Sequence, residues 1–174
     1  MRNTILFMGT SLDGYVAGEN HNLEFLSSVE RPGEDYGFTQ FITGIDTVVM
    51  GRRTYDIVRG FGEPFPHADK RCYVVSRTRT GQDEYVTFCN GSIPDLLREL
   101  KSQPGKDIYV DGGAELMREV LQAGLLDRVC LSVIPILLGG GVRVFDGGFD
   151  SYPLKLESSK AFESGLVQLW YSKA

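Results

Sequence analysis

The chain reads as one α/β domain: a three-layer sandwich with a mostly parallel central sheet and an antiparallel C-terminal hairpin. Three observations predict this. Short, continuous apolar runs at 4–8, 47–50 and 72–75 have the pattern of strands buried on both faces. Segments with helical spacing alternate with such runs as far as residue 134. Beyond that point, residues 154–157 and 167–171 alternate around the turn pair Ser164 and Gly165, as a hairpin does. A chain of 174 residues supports a single sizeable core, and no repeat, low-complexity tract or linker divides it. Residues 1–174 are therefore one domain.

The totals exclude several classes. Eighteen Lys and Arg against 23 Asp and Glu leave a net charge of −5 with no dense basic block. That argues against a nucleic-acid binder held by the phosphate backbone, although a local basic patch for a small phosphate stays open. Cys72, Cys89 and Cys130 are odd in number, far apart and set in apolar runs, the pattern of reduced thiols in a cytoplasmic protein. With no CxxC and only His21 and His67, no His/Cys metal site is expected. The first residues run straight into a strand without a signal-like segment, and no apolar run approaches membrane-spanning length.

Taken in order, the strand at 4–8 leads into 9–18, a glycine-rich loop that is unusually apolar, with Leu12, Tyr15, Val16 and Ala17. It reads either as a turn packed on the core or as a cover for a flat apolar ligand. After the break at Arg31, Pro32 and Gly33, an amphipathic helix is expected from Asp35, with Phe38, Phe41, Ile42 and Ile45 at i, i+3, i+4, i+7. Asp35 lies at its start. It is either a cap or dipole partner, or a partly buried carboxylate with a raised pKa that holds or relays a proton.

The strand at 47–50 runs directly into Gly51, Arg52, Arg53 and Thr54 and then a short helix with Tyr55 and Val58. Arginine forks beside a helix start suit phosphate oxygens. The loop over 60–69 contains His67, read as a surface histidine without a partner. The strand at 72–75 ends in Ser76 and Arg77, again small-polar and basic. A strand at 85–88 and a helix capped by Ser92 follow, with Ile93, Leu96, Leu97 and Leu100 as its buried stripe. Residues 108–110 form the next strand. It breaks at Gly112 and Gly113 and resumes as a helix with Leu116, Met117, Val120 and Leu121 on one face, ended by Gly124. A strand over 127–134 precedes the triple glycine at 139–141, which reads as a flexible turn or a close backbone approach.

Three strand ends thus carry phosphate-compatible chemistry: Gly51 to Thr54, Ser76 with Arg77, and Gly112 with Gly113. Ligands of such sheets bind across the carboxyl ends of the strands. A dinucleotide bearing an additional 2′-phosphate accounts for all three at once.

The runs at 11–17 (SLDGYVA), 48–55 (VVMGRRTY) and 110–113 (VDGG), with Leu125 to Asp127, Pro135, the glycines 139–141 and Phe145, occur in this order over nearly the whole chain. This set resembles the dihydrofolate reductase-like superfamily, and more closely the C-terminal reductase domain of the bifunctional riboflavin-biosynthesis deaminase–reductase. The resemblance implies an eight-stranded sheet flanked by helices, a homodimer and an NADPH-dependent reductase. It implies that Gly51, Arg52, Arg53 and Thr54 hold the pyrophosphate and 2′-phosphate side of NADPH, and that Ser76 and Arg77 flank the 2′-phosphate. Gly112, Gly113, Ala114 and Glu115 meet the pyrophosphate, and Val16 and Ala17 lie against the nicotinamide. Asp35, sixteen positions before Gly51, falls where dihydrofolate reductases carry their active-site carboxylate.

Two departures matter. The tryptophan that often accompanies the first loop of dihydrofolate reductases is missing, since the single Trp is Trp170; this puts folate in doubt. No zinc-deaminase signature occurs, so a stand-alone paralogue is expected. The expected reaction is hydride transfer to a small heterocycle of the pterin or pyrimidine kind, such as 5-amino-6-(5-phosphoribosylamino)uracil. Two alternatives stand beside it: a nucleotide-binding module of the same fold without catalysis, and a dimeric regulatory protein.

Overall fold

The computed structural model describes residues 1–62 and 64–174; Glu63, inside the loop over 60–69, lies outside the described residues. In chain order the strands and α-helices are β1 (Thr4–Ser11), β2 (Tyr15–Ala17), α1 (Phe38–Thr43), β3 (Ile45–Gly51), α2 (Arg52–Arg59), β4 (Arg71–Val75), β5 (Gly81–Gln82) and β6 (Val86–Cys89). Then come α3 (Ile93–Ser102), β7 (Asp107–Val110), α4 (Ala114–Gln122), β8 (Arg128–Ile134), β9 (Val142–Arg143), β10 (Leu154–Ala161) and β11 (Val167–Lys173).

The main sheet has the order β10-β11-β8-β1-β7-β3-β4-β6-β5. The six strands from β8 to β6 are parallel to one another, whereas β11, β10 and β5 join antiparallel. This is the mostly parallel sheet with an antiparallel C-terminal hairpin that the sequence predicts. It has nine strands rather than eight among the described residues; the additional one, β5, is two residues long and leaves no periodic signal.

The strand period of two sorts the core into layers. Leu6, Val49, Ile108 and Val110 face α3 and α4, where they meet Leu97, Leu100, Met117 and Val120. Ile5, Val48, Met50 and Tyr109 point the other way, toward Tyr55 and Val58 of α2 and the buried Phe65, with Phe38, Phe41 and Ile42 of α1 packed alongside. Each fully buried aliphatic side chain contributes roughly 1.5–3 kcal/mol, so these two clusters hold the sandwich together.

α1 is shorter than its apolar spacing predicts. Gly37 enters it with φ +79° and Gly44 ends it. Ile45 fits the helical spacing but is the first residue of β3. The first loop is also more ordered than expected. β1 extends to Ser11, and β2 pairs with β9 as a separate two-stranded sheet, with Tyr15 opposite Arg143. A Cβ at Gly141 would lie 2.1 Å from the Ala17 carbonyl oxygen, so the triple glycine is a place of close backbone approach. Among the described residues, no helix is long and apolar enough to cross a membrane.

Candidate active site

A cleft of about 950 Å³ runs across the carboxyl ends of the parallel strands. Its floor is built where two strand-to-helix junctions touch. β3 and β7 are neighbours, so Gly51 and Gly112 meet: the Gly51 N–H donates to the Gly112 carbonyl at 3.3 Å. α2 starts after Gly51 and α4 after Gly113, and no side chain caps either helix. Two sets of unpaired N–H groups therefore face one spot, where an anion is favoured. Gly112 (φ +75°) and Gly113 (φ +99°) both need the left-handed region, and a Cβ on Gly112 would lie 2.9 Å from Met8 Cε.

The cleft is polarised by strand order. Toward β4 and β6 it is lined by Arg53, Ser76, Arg77, Thr78 and Asn90; toward β1 and β2, by Phe7, Met8, Val16, Ala17 and Leu26. β1 and β4 are three strand spacings apart, about 14 Å. One elongated ligand can thus reach from an apolar end, past the two helix starts, to a basic end.

The twelve residues expected to hold a dinucleotide all line this cleft: Val16, Ala17, Gly51, Arg52, Arg53, Thr54, Ser76, Arg77, Gly112, Gly113, Ala114 and Glu115. The arginines differ in their present partners. Arg52 pairs with Asp56 at 3.1 Å, Arg79 pairs with the same carboxylate at 2.9 Å, and the exposed Arg77 pairs with Glu115 across the cleft. Arg53 has no ion-pair partner among the described residues and is the cation most available to a phosphate. The Ser76 hydroxyl accepts from the backbone N–H of Thr78 and Arg79, which folds the turn that presents Arg77.

Asp35 is placed differently. It is exposed and does not line the cleft. Its two oxygens accept from the N–H groups of Gly37 and Thr39, both at 2.9 Å, at the entry to α1. The Thr39 hydroxyl and these N–H groups lower its pKa. The expectation of a partly buried carboxylate with a raised pKa is corrected: the short helix turns Asp35 outward, and the capping reading describes it.

Asp111, between β7 and the glycine pair, is one of four carboxyls that line the cleft among the described residues, with Glu115, Glu119 and Asp146. Its N–H continues the ladder to the Val49 carbonyl, so its side chain lies two residues on from Tyr109, on the same face of the sheet. The Tyr109 hydroxyl donates to Asp111 Oδ1 at 2.7 Å and lies 3.1 Å from the Phe7 carbonyl oxygen. Burial and the adjacent Asp111 hold the Tyr109 hydroxyl well above its usual range, so it remains a donor. On the other side, His67 Nε2 lies 3.5 Å from Asp111 Oδ2. His67 is buried, 4% exposed, which corrects the surface reading. The turn over 65–68 folds onto the sheet behind Phe65, and this tertiary contact leaves no trace in the local composition.

The apolar end is covered by β2, and the glycine loop leads into β9, the partner strand of β2. Asp13 ties them: it accepts from the N–H groups of Leu138 (3.1 Å) and Gly139 (2.8 Å) and from the Ser11 hydroxyl (2.6 Å). The Ser11 hydroxyl and these N–H groups draw its pKa down to about 2.

Comparisons with known proteins agree with this fold. The RibD C-terminal domain model matches residues 2–168. YwjB of Bacillus subtilis (strain 168) is 36% identical over 174 residues, covering 99% of both chains. The crystal structure of a "Putative riboflavin biosynthesis protein" from Shewanella sp. PV-4 superposes with a TM-score of 0.90 at 33% identity, covering 99% of both chains. A diaminohydroxyphosphoribosylaminopyrimidine deaminase/5-amino-6-(5-phosphoribosylamino)uracil reductase from Thermotoga maritima shares the fold, with a TM-score of 0.74 at 16% identity. The match covers 99% of this chain but 57% of that one. By sequence over nearly its full length and by fold, the chain belongs to the RibD C-terminal domain family.

Proposed function

We propose that the protein is an NADPH-dependent reductase acting on a small heterocycle of the pyrimidine or pterin kind. The observation that carries this reading is the convergence of two uncapped helix starts at Gly51 and Gly112–Gly113, midway between a basic end and an apolar end of one cleft. The residues fit the cofactor. The N–H groups of α2 and α4 suit a pyrophosphate, Arg53 and Arg77 suit a 2′-phosphate, and Val16 and Ala17 offer an apolar surface for a nicotinamide. NADPH supplies a hydride when bound; the protein binds, orients and excludes water.

The rest of the chemistry falls to this chain's own residues. β2 and its partner β9 border the apolar end with Val16, Ala17 and Val142. Asp111 faces that end beside Phe7 and Met8. Of the cleft's carboxyls, Glu115 and Asp146 are ion-paired with Arg77 and Arg118, and Asp111 is the one this reading assigns to orient a substrate or to supply a proton to an acceptor atom. Asp35 takes no part in this reading.

The test is NADPH oxidation, followed by the loss of nicotinamide absorbance, across a panel of pyrimidines, pterins and ribosyl-phosphate conjugates. Acceptor-dependent oxidation by the wild type, lost in Asp111→Asn, supports the proposal. Tight NADPH binding with no oxidation of any panel member would favour a binding module instead.

A further inference from the structure

The pair formed by His67 and Asp111 lies outside everything so far used to hold a cofactor. His67 is buried, yet among the described residues its ring makes a single polar approach within 4 Å. Nε2 comes to 3.5 Å from Asp111 Oδ2, and Nδ1 has no hydrogen-bond partner among the described residues. The ring is wedged edge-on between Phe65 (5.8 Å) and Tyr109 (6.0 Å), so packing aims it at the carboxyl. A proton on Nδ1 would be a buried N–H with nothing to accept it, the costly arrangement. A proton on Nε2 points at a carboxylate.

Asp111 is the charge that a ring nitrogen of His67 approaches within 4 Å among the described residues, and Asp69 interacts with the histidine at longer range. The thiols of Cys72 on β4 and Cys130 on β8 are both pushed up to about 12 by burial and stay protonated. Asp69 and Lys70, on the histidine's own turn, pair with each other at 2.7 Å. Tyr109 supplies a neutral hydroxyl. Its single proton serves either Asp111 or the Phe7 carbonyl, both within reach. When Asp111 is ionised, Tyr109 donates to it. When Asp111 carries a proton, the hydroxyl can turn to Phe7 and accept from the acid. Both states of Asp111 are thus satisfied on the Oδ1 side, and the Oδ2 side is set by His67.

We propose that His67 is a positioning residue for this site: its Nε2–H holds the Asp111 carboxyl from behind, opposite the Tyr109 hydroxyl, and fixes the orientation in which Asp111 faces the cleft. The inference rests on the reductase reading for its purpose, but its geometry is tested independently. At 3.5 Å the approach is longer than a formed hydrogen bond, as contacts in unliganded sites often are.

The experiment uses the full chain labelled with 15N-histidine and 13C-aspartate, with NADPH as the probe ligand. In the wild type, long-range 15N–1H correlations should show His67 protonated on Nε2 and bare on Nδ1. The Asp111 carboxyl carbon should shift in His67→Leu and return toward its wild-type position in His67→Gln, whose side-chain NH2 can occupy the place of Nε2–H. Should His67→Leu fail to fold, the wild-type tautomer and the His67→Gln spectrum decide. A proton on Nδ1, or an Asp111 resonance indifferent to both substitutions, overturns the inference. Calorimetric titration of the same samples with NADPH separates the two readings. A wild type that binds no NADPH overturns the reductase proposal and leaves the spectroscopic coupling standing. Normal NADPH binding with an unmoved Asp111 resonance overturns the inference alone.

Discussion

Gly112→Ala tests both the backbone argument and the ligand argument. Gly112 has φ +75°, and a side chain in that region costs roughly 1–2 kcal/mol. The added Cβ would sit 2.9 Å from Met8 Cε, the flexible end of a side chain that can swing aside, so the steric contribution is small. In a domain of this length each kcal/mol lowers Tm by about 2–4 °C, giving an expected loss of about 2–8 °C. The displaced methionine and the new methyl both crowd the cleft floor, so the Kd for NADPH should rise about tenfold or more. The control is Gly33→Ala, which has a similar φ of +77° in a turn with nothing within 4 Å of the added carbon. It should lose comparable stability yet keep its NADPH affinity. Thermal unfolding and calorimetric titration on both variants decide. Equal NADPH affinity in Gly112→Ala and the wild type would refute the placement of the pyrophosphate, and an unchanged Tm would refute the strain.

Four further outcomes are expected. Arg53→Ala should weaken NADPH about 10–100-fold, the range for loss of a charge-assisted hydrogen bond, as read by calorimetry. Glu115→Gln, which frees Arg77 and removes an anion beside the helix start, should instead tighten NADPH in the same titration. Asp13→Ala should speed amide exchange at Leu138 and Gly139 while leaving the amides of β3 and β7 protected. The folded pKa of Asp13 is about 2 against 3.8, so its tie is present above about pH 4 and is lost as pH falls through 2; exchange relative to intrinsic rates should follow that window. Asp35→Ala should fray α1, read as faster exchange at Thr39, without changing NADPH affinity.

The part of the site made of local code was readable from the chain. A buried strand, a glycine and a helix start within a few residues is a device that works wherever it stands, so Gly51 to Thr54 and Gly112 to Glu115 announce themselves. Ser76 and Arg77 were legible by a weaker signal, small-polar and basic residues at the end of a buried strand with no glycine or helix start beside them. What could not be read is long-range. Tyr15 and Arg143 pair across 128 positions to join β2 to β9, and Asp13 reaches Gly139 across 126. His67 stands among prolines and polar residues and looks exposed; only the packing of its turn against β7 buries it. Asp35 failed for a different reason. Its interval to Gly51 suggested a role, but the glycine at 37 breaks the helical phase that would have turned it inward.

The most direct test of the account is a calorimetric titration of the full chain with NADPH and with NADH. The cleft predicts that NADPH binds, and at least about tenfold tighter than NADH, because Arg53 and Arg77 stand at the end where the 2′-phosphate would lie. Equal affinity for the two, or binding of neither, would contradict it.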